Sequence, residues 1–325
     1  MIQQECQVEN HILNLVKDFE NITLFVHERP DFDALGSAYA FKEFLKEYFP
    51  TKKSYVMGTY KLDSSFGSDI FPFEQTDIDE NFLQSSLGII FDTANTARIL
   101  TGKHKKAKKL VRFDHHPKIE DIADIDWVDP TFSSTAEMIG TFLETLKFKL
   151  TPTIAKYIYA GILTDTGRFL YLSSTPNTFR ITSNLIKTGF NRMIIHDAVY
   201  NKRISEHLYH FYTLKHAKIT SNGLAYVILP KNSHRRFGIS YPNTMVHALN
   251  NIKGVKIWIA LYYDNDSGKW KGSIRSRDIP INHFASMFNG GGHKFASGFS
   301  LNNKKDFMKI VHLLDNYLKS TVSQN

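Results

Sequence analysis

Cysteine is almost missing from this chain, since Cys6 is the only one among 325 residues. An intramolecular disulfide is therefore impossible, and nothing in the cysteine usage favours export. The sequence also lacks an apolar run long enough to cross a bilayer, a signal-peptide pattern at its start, internal repeats and low-complexity tracts. These absences exclude a disulfide scaffold and predict a globular protein of the cytoplasm.

The charge balance is only moderately one-sided. The net charge is +8 and the isoelectric point is about 9.2, which favours a polyanionic partner but is equally typical of a solvated basic surface. Hydrophobic residues make up 42% and charged residues 22% of the chain, as in ordinary soluble proteins. A chain of 325 residues exceeds what one hydrophobic core usually serves, so two domains are predicted.

The first half of the chain alternates strand-like and helix-like segments. Short runs rich in apolar and β-branched residues predict strands at 21–26, 53–57, 87–91 and 109–113. Helical spacing predicts a helix at 34–49. Ser134 or Thr135 could cap a second helix that runs to about residue 146, and Thr151 with Pro152 begins a third from 151 onward. This alternation predicts an α/β fold with a mostly parallel sheet, and such sheets bind ligands at the carboxyl ends of their strands.

The pattern changes after about residue 200. Strands are predicted at 224–229, 255–263 and 270–275, with a hairpin turn at 264–268, and helices are predicted at 279–288 and 304–318. These elements predict a second, smaller α+β domain. We place the first domain at 1–197, a helical linker at 198–218 and the second domain at 219–325. The active site is expected in a cleft between the two domains.

Polar side chains that can bind metals follow several of the predicted strands. Asp114, His115 and His116 come directly after the fourth strand. The others follow the first strand, the third strand or an apolar helix face: His27, Asp31, Asp33, Asp92 and Asp165. A helix cap would explain Asp33 alone, and a lone buried aspartate is usually a hydrogen-bonded structural group. A parallel sheet, however, would gather all eight in one crevice.

Such a set of carboxylates requires a cation, because anionic groups that lie close together raise one another's pKa. Carboxylate with imidazole and without thiolate disfavours a structural zinc site, and it contains more nitrogen than a typical magnesium or calcium site. Manganese fits best on ligand type, followed by iron, cobalt or magnesium. The ligands are numerous enough for two ions roughly 3.5–4 Å apart that share one carboxylate.

A glycine run and two arginines predict an anion site in the second domain. The backbone N–H groups of Gly290–Gly292 can form a nest for an anion, and His293 and Lys294 add positive charge. A helix C-cap is the alternative, although one glycine would satisfy it. Arg275 and Arg277 are separated by Ser276 on a predicted strand, so both would point to the same face. Arginine suits phosphate, although one of the two could instead pair with a surface acid.

Taken together, these motifs resemble those of a known family. The spacing His27-x-x-x-Asp31-x-Asp33, then Asp92, then Asp114-His115-His116 and finally Asp165 is similar to motifs one to four of the DHH phosphoesterases. In the second half, Gly272–Ser276 and Gly290–Lys294 resemble the DHHA1 substrate domain. The layout is most similar to the NrnA-type nanoRNases and pAp phosphatases. Asn289 departs from the pattern, since many members have another glycine there, and we expect it only to adjust the turn.

The resemblance implies roles for individual residues. One Mn²⁺ would be held by His27, Asp31 and Asp92, and a second by Asp33, Asp92, His115 and Asp165, with Asp92 as the bridge. His116 would face the substrate phosphate, and Asp114 would orient a metal-binding histidine. Catalysis would thus involve Asp92, Asp114 and His116. The residues implied to bind substrate are Arg275, Arg277, Gly290, Gly291, Gly292 and His293.

The resemblance also implies the reaction, a Mn²⁺-dependent hydrolysis of phosphate esters with Mg²⁺ or Co²⁺ as possible substitutes. Short oligoribonucleotides would be converted to mononucleotides, and 3′-phosphoadenosine 5′-phosphate (pAp) to AMP and phosphate. Cyclic or linear dinucleotides such as pApA are the alternative substrates. A non-catalytic nucleic-acid-binding protein is the alternative of another class, and hydrolysis assays with Mn²⁺ and with chelator would separate the two. The resemblance further implies a homodimer.

Overall fold

The computed structural model describes residues 7–28, 30–57, 70–72, 78–239 and 242–322. The chain divides into two compact units, Met1–Asn201 and Lys202–Asn325. Each unit has a β-sheet of its own, parallel in the first and mixed in the second, which confirms the predicted fold class. No helix in the described ranges has the length and apolar character that crossing a bilayer requires.

The sheet of the first unit consists of parallel strands. They are β1 (Asn21–Phe25), β2 (Lys53–Val56), β3 (Leu87–Phe91), β4 (Lys109–Asp114) and β5 (Ile125–Val128). Their order across the sheet is β2-β1-β3-β4-β5, and every neighbouring pair is parallel. The strand order reverses at β1, because β2 lies on one side of it and β3 on the other. Such a reversal opens a crevice beyond the carboxyl ends of the strands.

The helices of the first unit pack on this sheet and on one another. They are α1 (Gln7–Asp18), α2 (Phe32–Tyr48), α3 (Glu80–Gln84), α4 (Thr135–Thr145), α5 (Pro152–Asp165), α6 (Pro176–Lys187) and α7 (Arg192–Tyr200). The ring of Phe41 in α2 lies 5.7, 5.9 and 5.9 Å from those of Phe91, Phe113 and Phe142. Phe91 ends β3 and Phe113 precedes the last residue of β4, so this packing fixes where polar side chains leave the sheet.

Some elements differ from their predicted bounds. α2 begins at Phe32, two residues earlier than predicted, because the Asp31 carboxylate accepts hydrogen bonds from the N–H groups of Asp33 and Ala34 and caps the helix there. Ser134 and Thr151 cap α4 and α5 as predicted. The elements β5, α1, α3 and α6 were not predicted, and only the end of α7 falls within the predicted helical linker. β5 is a half-buried edge strand of four residues, too short to show a period.

The second unit is built on a mixed sheet. Its elements are α8 (Ile204–His216), β6 (Lys218–Ile219), β7 (Leu224–Ile228), β8 (Ile257–Asp264), β9 (Lys269–Ser276), α9 (Asn282–Ser286), β10 (Gly291–His293), β11 (Ala296–Leu301) and α10 (Phe307–Val322). The order is β10-β11-β9-β8-β7-β6, in which β7 and β8 are parallel and the other pairs are antiparallel. The predicted hairpin joins β8 and β9, where Asp264 pairs with Lys269.

Two apolar clusters sit on the second sheet. Ile259 and Ile274, which pair across β8 and β9, are buried in one cluster with Leu314 of α10. The other cluster contains Tyr209 of α8, which is fully buried with its ring 5.0 Å from that of Phe237. The predicted linker at 198–218 therefore contains the end of α7 and the whole of α8, and α8 packs as part of the second unit.

Candidate metal centre

Three strands of the first unit carry polar side chains to the same edge of the sheet. His27, Asp31 and Asp33 follow β1, Asp92 follows β3, Asp114 ends β4, and His115 and His116 come next. Asp165 is the last residue of α5. The structure places these eight side chains in one network of contacts.

His27 forms a group with Asp31 and Asp92. Its Nδ1 lies 2.8 Å from the carbonyl oxygen of Glu28, so Nδ1 carries a proton and donates it. Its Nε2 lies 3.7 Å from Oδ2 of Asp31 and 3.5 Å from Oδ2 of Asp92. A backbone carbonyl that holds the far ring nitrogen is the usual setting of a metal-binding histidine. Nε2 is therefore the ligand atom that His27 would offer.

Asp92 turns away from the sheet directly after β3. Its φ angle is +55°, in the left-handed region that aspartate tolerates better than most residues. Oδ2 faces His27, whereas Oδ1 lies 3.5 Å from Nε2 of His115 and accepts a hydrogen bond of 3.2 Å from the hydroxyl of Thr135. The carboxylate thus presents one oxygen to each of two donor groups. A backbone held in a sparsely populated conformation is typical of a functional site.

Asp33 is completely buried, and the amino end of α4 holds its carboxylate. Oδ2 accepts a hydrogen bond of 2.7 Å from the N–H of Thr135, and Oδ1 accepts one of 2.8 Å from the N–H of Ala136. The first N–H groups of a helix have no partner within it, and the helix dipole favours an anion there. Gly161 of α5 makes room for this carboxylate, since a Cβ at Gly161 would lie 2.7 Å from Oδ1 of Asp33.

His115 lies among carboxylates from three separate elements. Its Nε2 is 3.1 Å from Oδ2 of Asp165, 3.5 Å from Oδ1 of Asp92 and 3.8 Å from Oδ2 of Asp33. Asp165 comes from the end of α5, Asp92 from the end of β3 and Asp33 from the first turn of α2. Oxygen atoms that surround one imidazole nitrogen at these distances form a pocket suited to a cation.

Asp114 makes its hydrogen bonds to His116. Oδ1 of Asp114 accepts from Nδ1 of His116 at 2.7 Å and from the backbone N–H of His116 at 3.2 Å. The resemblance predicts that Asp114 orients a metal-binding histidine, whereas in the structure it holds the histidine predicted to face substrate. Because Nδ1 is bonded to Asp114, His116 would reach a ligand through Nε2.

Neighbouring carboxylates raise the pKa of the two inner histidines, His27 and His115. Burial disfavours the imidazolium of His27, but Asp31 and Asp92 outweigh burial and raise the pKa of His27 to about 11. Burial likewise opposes protonation of His115, but Asp165 and Asp92 raise its pKa well above the ordinary value. Both shifts mean that a cation bound at these nitrogens would displace protons.

Burial and mutual repulsion shift the pKa values of the carboxylates. Burial, together with the charges of Asp92 and Asp165, raises the pKa of Asp33 well above the usual range. Burial also raises the pKa of Asp165. The pKa of Asp92 is lowered, because its hydrogen bond to His27 and the nearby imidazoles outweigh burial. Divalent cations would relieve the repulsion among these anions.

The donor atoms fall into groups that could hold a metal. In the described part of the chain, three groups have donor atoms within 4.8 Å of one another: His27, Asp31 and Asp92; Asp33, His115 and Asp165; and Asp92, His115 and His116. Carboxylates with imidazoles and no thiolate suit a divalent cation such as manganese. The residues present therefore fit a divalent metal, and Asp92 lies where two groups meet.

In the second unit, the sheet holds the guanidinium group of Arg275. Nη1 of Arg275 donates to the carbonyl oxygens of Ile274 at 2.8 Å and Ser297 at 3.2 Å. Arg277 follows β9 and is exposed, with Nη2 3.4 Å from Oδ1 of Asn251. The two arginines thus differ in setting, since Arg275 is anchored and Arg277 is not buried.

Gly291 and Gly292 of the glycine run lie in β10, an edge strand of the second sheet, and not in an open loop. Gly291 pairs with Gly298 in the register of β10 and β11. Gly290 packs closely, since a Cβ there would lie 2.1 Å from the carbonyl oxygen of Gly298, and Gly292 has a φ of +134°. The backbone of His293 also lies in β10, whereas its side chain lies outside the described part of the structure. An edge strand keeps outward N–H groups unpaired.

Comparison with known proteins places the chain in a family. Residues 21–162 match the N-terminal domain of the DHH family, and residues 243–320 match the DHHA1 domain. Over 317 residues, the chain is 31% identical to the bifunctional oligoribonuclease and PAP phosphatase NrnA of Bacillus subtilis, with 96% of this chain and 99% of that protein covered. The chain belongs to the DHH phosphoesterase family.

Two further likenesses extend this result. The DHH chain is 54% identical over 318 residues to the uncharacterized protein MG371 of Mycoplasma genitalium, with 98% of each covered. It also matches the crystal structure of an exopolyphosphatase-related protein from Bacteroides fragilis with a TM-score of 0.86, 24% identity and coverage of 96% and 97%. At that identity, the structural match shows the shared fold alone.

The DHH motifs contain the candidate ligands but not the residues that hold them. Thr135 was predicted only as a possible cap, and no role was predicted for Ala136 or Gly161. In the structure, Thr135 and Ala136 donate hydrogen bonds to the Asp33 carboxylate, and the Thr135 hydroxyl also donates to Asp92. Gly161 leaves the space that the Asp33 carboxylate occupies. One signal was present in the sequence. Glycine destabilises the interior of a helix, so a glycine inside an apolar helix usually indicates that another group packs closely against it.

Replacing Gly161 by alanine is expected to displace Asp33. The new Cβ would stand 2.7 Å from Oδ1 of Asp33 and 2.5 Å from the Cβ of Ala136. We expect a stability loss of about 1–3 kcal/mol from overpacking and a Mn²⁺ affinity lowered by about 10- to 100-fold, as when a group supporting a ligand is removed. Calorimetric titration with Mn²⁺ and thermal unfolding would measure both.

Gly36→Ala is the matched control for this change. A Cβ at Gly36 would lie 2.5 Å from the carbonyl oxygen of Tyr157 and 3.3 Å from the backbone nitrogen of Gly161, so it overpacks the same pair of helices at other atoms than the Asp33 carboxylate. It should lose stability and keep its affinity for Mn²⁺. Equal weakening of metal binding in the two variants would contradict a local role for Gly161.

Proposed function

We propose that this DHH protein hydrolyses short oligoribonucleotides to mononucleotides and pAp to AMP and phosphate, using two Mn²⁺ ions per chain. The observation that carries the proposal is the position of Asp92, whose two carboxylate oxygens face different donor groups. The choice of substrates is supported by 31% identity, over nearly the full length, to a bacterial protein named for these two activities. Mg²⁺ or Co²⁺ would serve as substitutes, because they accept the same kinds of ligand.

Each candidate ligand has a place in this proposal. His27, Asp31 and Asp92 would hold one ion, and Asp33, Asp92, His115 and Asp165 would hold the other. When bound, the ions would supply Lewis-acid stabilisation of the phosphoryl oxygens and an activated water. The chain itself orients the groups around them, since the Glu28 carbonyl fixes His27 and the amino end of α4 fixes Asp33.

His116 would act on the substrate. Asp114 holds its ring through Nδ1, so Nε2 would donate to a non-bridging oxygen of the phosphate. A donor positioned before the reaction stabilises the charge that develops on that oxygen without having to reorganise. Asp114 would therefore be a positioning residue, and His116 the residue that touches the reacting group.

The second unit would bind the terminal phosphate of the substrate. The proposed residues are Arg275, Arg277, Gly290, Gly291, Gly292 and His293. The guanidinium group of Arg275 rests on two carbonyl oxygens, and a guanidinium has five N–H donors in a fixed fork. Its orientation is thus set in advance, which lowers the entropy lost when it binds an anion.

Side-by-side hydrolysis assays test this function. The substrates are pAp, pApA and RNA of two to about twenty nucleotides, a range over which an enclosed site should select by size. With Mn²⁺, we expect the highest kcat/KM on pAp and the shortest RNAs, and no turnover with EDTA. Faster turnover of pApA would reassign the substrate to dinucleotides. RNA binding without hydrolysis would support the non-catalytic alternative, and turnover in EDTA would overturn the metal proposal.

Arg275→Ala is expected to weaken hydrolysis of phosphate-ended substrates selectively. A charge-assisted hydrogen bond contributes roughly 1.5–3 kcal/mol, so kcat/KM on pAp should fall by about ten- to a hundredfold. Bis(p-nitrophenyl) phosphate has no terminal phosphate, so its hydrolysis should change little. Lys269→Ala removes an exposed cation from the same strand and should affect neither substrate. Equal losses of kcat/KM on both substrates in Arg275→Ala would show that Arg275 does not bind the terminal phosphate of the substrate.

We also propose a homodimer that acts in the cytoplasm. Ile204, Leu208 and Phe211 of α8 are 74%, 51% and 65% exposed, and their spacing puts them on one helix face. Exposed apolar patches of this kind mark interaction surfaces. Light scattering should give a mass of about twice the 37.4 kDa chain, and a monomer mass would contradict the dimer. The single cysteine, Cys6, suits a reducing compartment.

A further inference from the structure

Arg112 is a completely buried arginine in β4. Alternation along the strand puts Val111 and Phe113 into the main core of the first unit, whereas Arg112 shares the opposite face with Leu110 and Asp114. A buried guanidinium group is stable only when its donors are satisfied and its charge is paired. The atoms that satisfy Arg112 therefore show what it holds in place.

One side of the guanidinium group contacts strand β5 and the segment that leads into it from β4. Nε donates to Oδ1 of Asp126 at 2.7 Å, and Nη2 donates to the carbonyl oxygen of Glu120 at 2.9 Å. Asp126 is itself almost buried. These two contacts explain how the charge is tolerated, and they would suffice for a purely structural role.

The other side of the guanidinium reaches the segment that follows Asp92. Nη1 lies 3.4 Å from the carbonyl oxygens of both Thr93 and Ala94, the two residues directly after Asp92. Asp92 has a φ of +55°, a conformation that persists only where the surroundings impose it. Arg112 supplies part of that constraint, because it holds the chain on the carboxyl side of the turn.

The same nitrogen also faces Asp114. Nη1 of Arg112 lies 3.9 Å from Oδ2 of Asp114, an oxygen that accepts no hydrogen bond among the described residues. Oδ1 of the same carboxylate accepts from Nδ1 of His116 at 2.7 Å. Arg112, Asp114 and His116 thus form a chain of contacts that runs from the interior to the site.

We propose that Arg112 is a positioning residue that sets Asp92 and His116 relative to each other. It acts on Asp92 through the backbone of Thr93 and Ala94, and on His116 through the carboxylate of Asp114. The inference rests on the proposed phosphoesterase function, since it assigns a catalytic consequence to this placement. It adds a residue outside the metal-binding motifs, one that contacts neither substrate nor metal.

Arg112→Lys tests the proposal. Lysine keeps the charge and can still pair with Asp126, but it cannot span Asp126, Glu120 and the carbonyls after Asp92 at once. A displacement of about 1 Å at a reacting group can lower the rate a hundredfold. We therefore expect kcat on bis(p-nitrophenyl) phosphate to fall about ten- to a hundredfold, with KM changed less than about twofold. Asp124→Ala is the matched control. It removes a different hydrogen bond of the segment between β4 and β5, the one of 2.7 Å that Oδ2 of Asp124 accepts from the N–H of Leu110.

A second measurement does not depend on turnover. In the metal-free protein, ¹⁵N–¹H NMR should show the Nδ1–H signal of His116 bonded to Asp114 in the unmodified chain and in Asp124→Ala, and should show it lost or displaced in Arg112→Lys. If the unmodified chain hydrolyses no substrate, the proposed function is wrong. The Nδ1–H signal of His116 then remains as the test of whether Arg112 positions His116. An unchanged signal together with unchanged kcat in Arg112→Lys would overturn the proposal, as would an equal fall of kcat in Asp124→Ala.

If Arg112→Lys does not fold, the double variant Arg112→Met with Asp126→Met replaces the ion pair by apolar side chains. Such replacements often preserve stability, so the fold should return while the contacts to Thr93, Ala94 and Asp114 remain absent. We expect kcat to stay lowered by about ten- to a hundredfold. A double variant with the kcat of the unmodified chain would assign Arg112 a structural role only.

Discussion

Replacing Asp92 by asparagine is expected to release bound metal and to lower kcat/KM on a phosphodiester by about a thousandfold or more. Asparagine keeps the size of the side chain and tolerates the φ of +55° that Asp92 adopts, so the fold should survive. It loses the negative charge, and one oxygen becomes an NH₂ donor that cannot bind a cation. Metal ions contribute several kcal/mol to the transition state, and about 4 kcal/mol corresponds to roughly a thousandfold.

Asparagine is more informative here than alanine. In Asp92→Ala, the left-handed backbone would itself be strained, so loss of metal and loss of local structure would be mixed. Metal analysis after gel filtration and hydrolysis of bis(p-nitrophenyl) phosphate would measure the two effects of Asp92→Asn.

Asp129→Asn is the matched control for the same exchange. Asp129 directly follows β5, on the same edge of the sheet, and its carboxylate accepts hydrogen bonds from the N–H and the hydroxyl of Thr131. It belongs to none of the donor groups found in the described residues. We expect Asp129→Asn to keep both metal and activity. Two tightly held ions per chain in Asp92→Asn would disprove the bridging role.

The location of the candidate ligands could be predicted because it follows from local patterns. The runs that become β1, β3 and β4 are short and apolar, and each is followed at once by polar side chains. Parallel strands share the edge at which they end, so three separate segments had to converge. The parallel arrangement itself followed from the alternation of strands with helices. No knowledge of individual contacts was needed for these steps.

The partners of those ligands could not be predicted in the same way. The N–H groups that bind Asp33 belong to α4, and the glycine that makes room for it belongs to α5. Such contacts depend on how helices far apart in sequence pack, which a local period does not encode. The partner of Asp114 was missed for a related reason: adjacent histidines look alike in sequence, and only side-chain geometry shows that Asp114 bonds to His116.

The glycine run shows a different limit. Three consecutive glycines predicted an anion-binding nest, because nothing in a short glycine segment indicates strand pairing. In the structure Gly291 and Gly292 pair with β11, and Gly290, which precedes the strand, has no space for a side chain. Asn289 has a φ of +54°, which glycine adopts freely and asparagine tolerates. Asparagine therefore suits the backbone conformation at position 289.

His115→Ala and His116→Ala are expected to lose activity for different reasons, the first with loss of metal and the second without it. Nε2 of His115 lies within 3.1–3.8 Å of oxygens of Asp165, Asp92 and Asp33, so its loss opens the proposed second metal site. We expect His115→Ala to lose metal and nearly all activity. In His116, Nδ1 is bonded to Asp114 and is not available as a ligand, although it also lies 3.5 Å from Oδ1 of Asp92. His116→Ala should therefore keep most of its metal.

The activity of His116→Ala should still fall steeply. Removing one group that stabilises transition-state charge lowers kcat by about 10²–10³-fold, and we expect a loss of that size with little change in KM. Asp114→Asn should resemble His116→Ala rather than His115→Ala, because the Asp114 carboxylate acts through His116. Metal content and kcat measured on the same preparations would separate the two classes. Equal metal loss in both histidine variants would make His116 a ligand, and the assignment of Nε2 to the substrate phosphate would then be wrong.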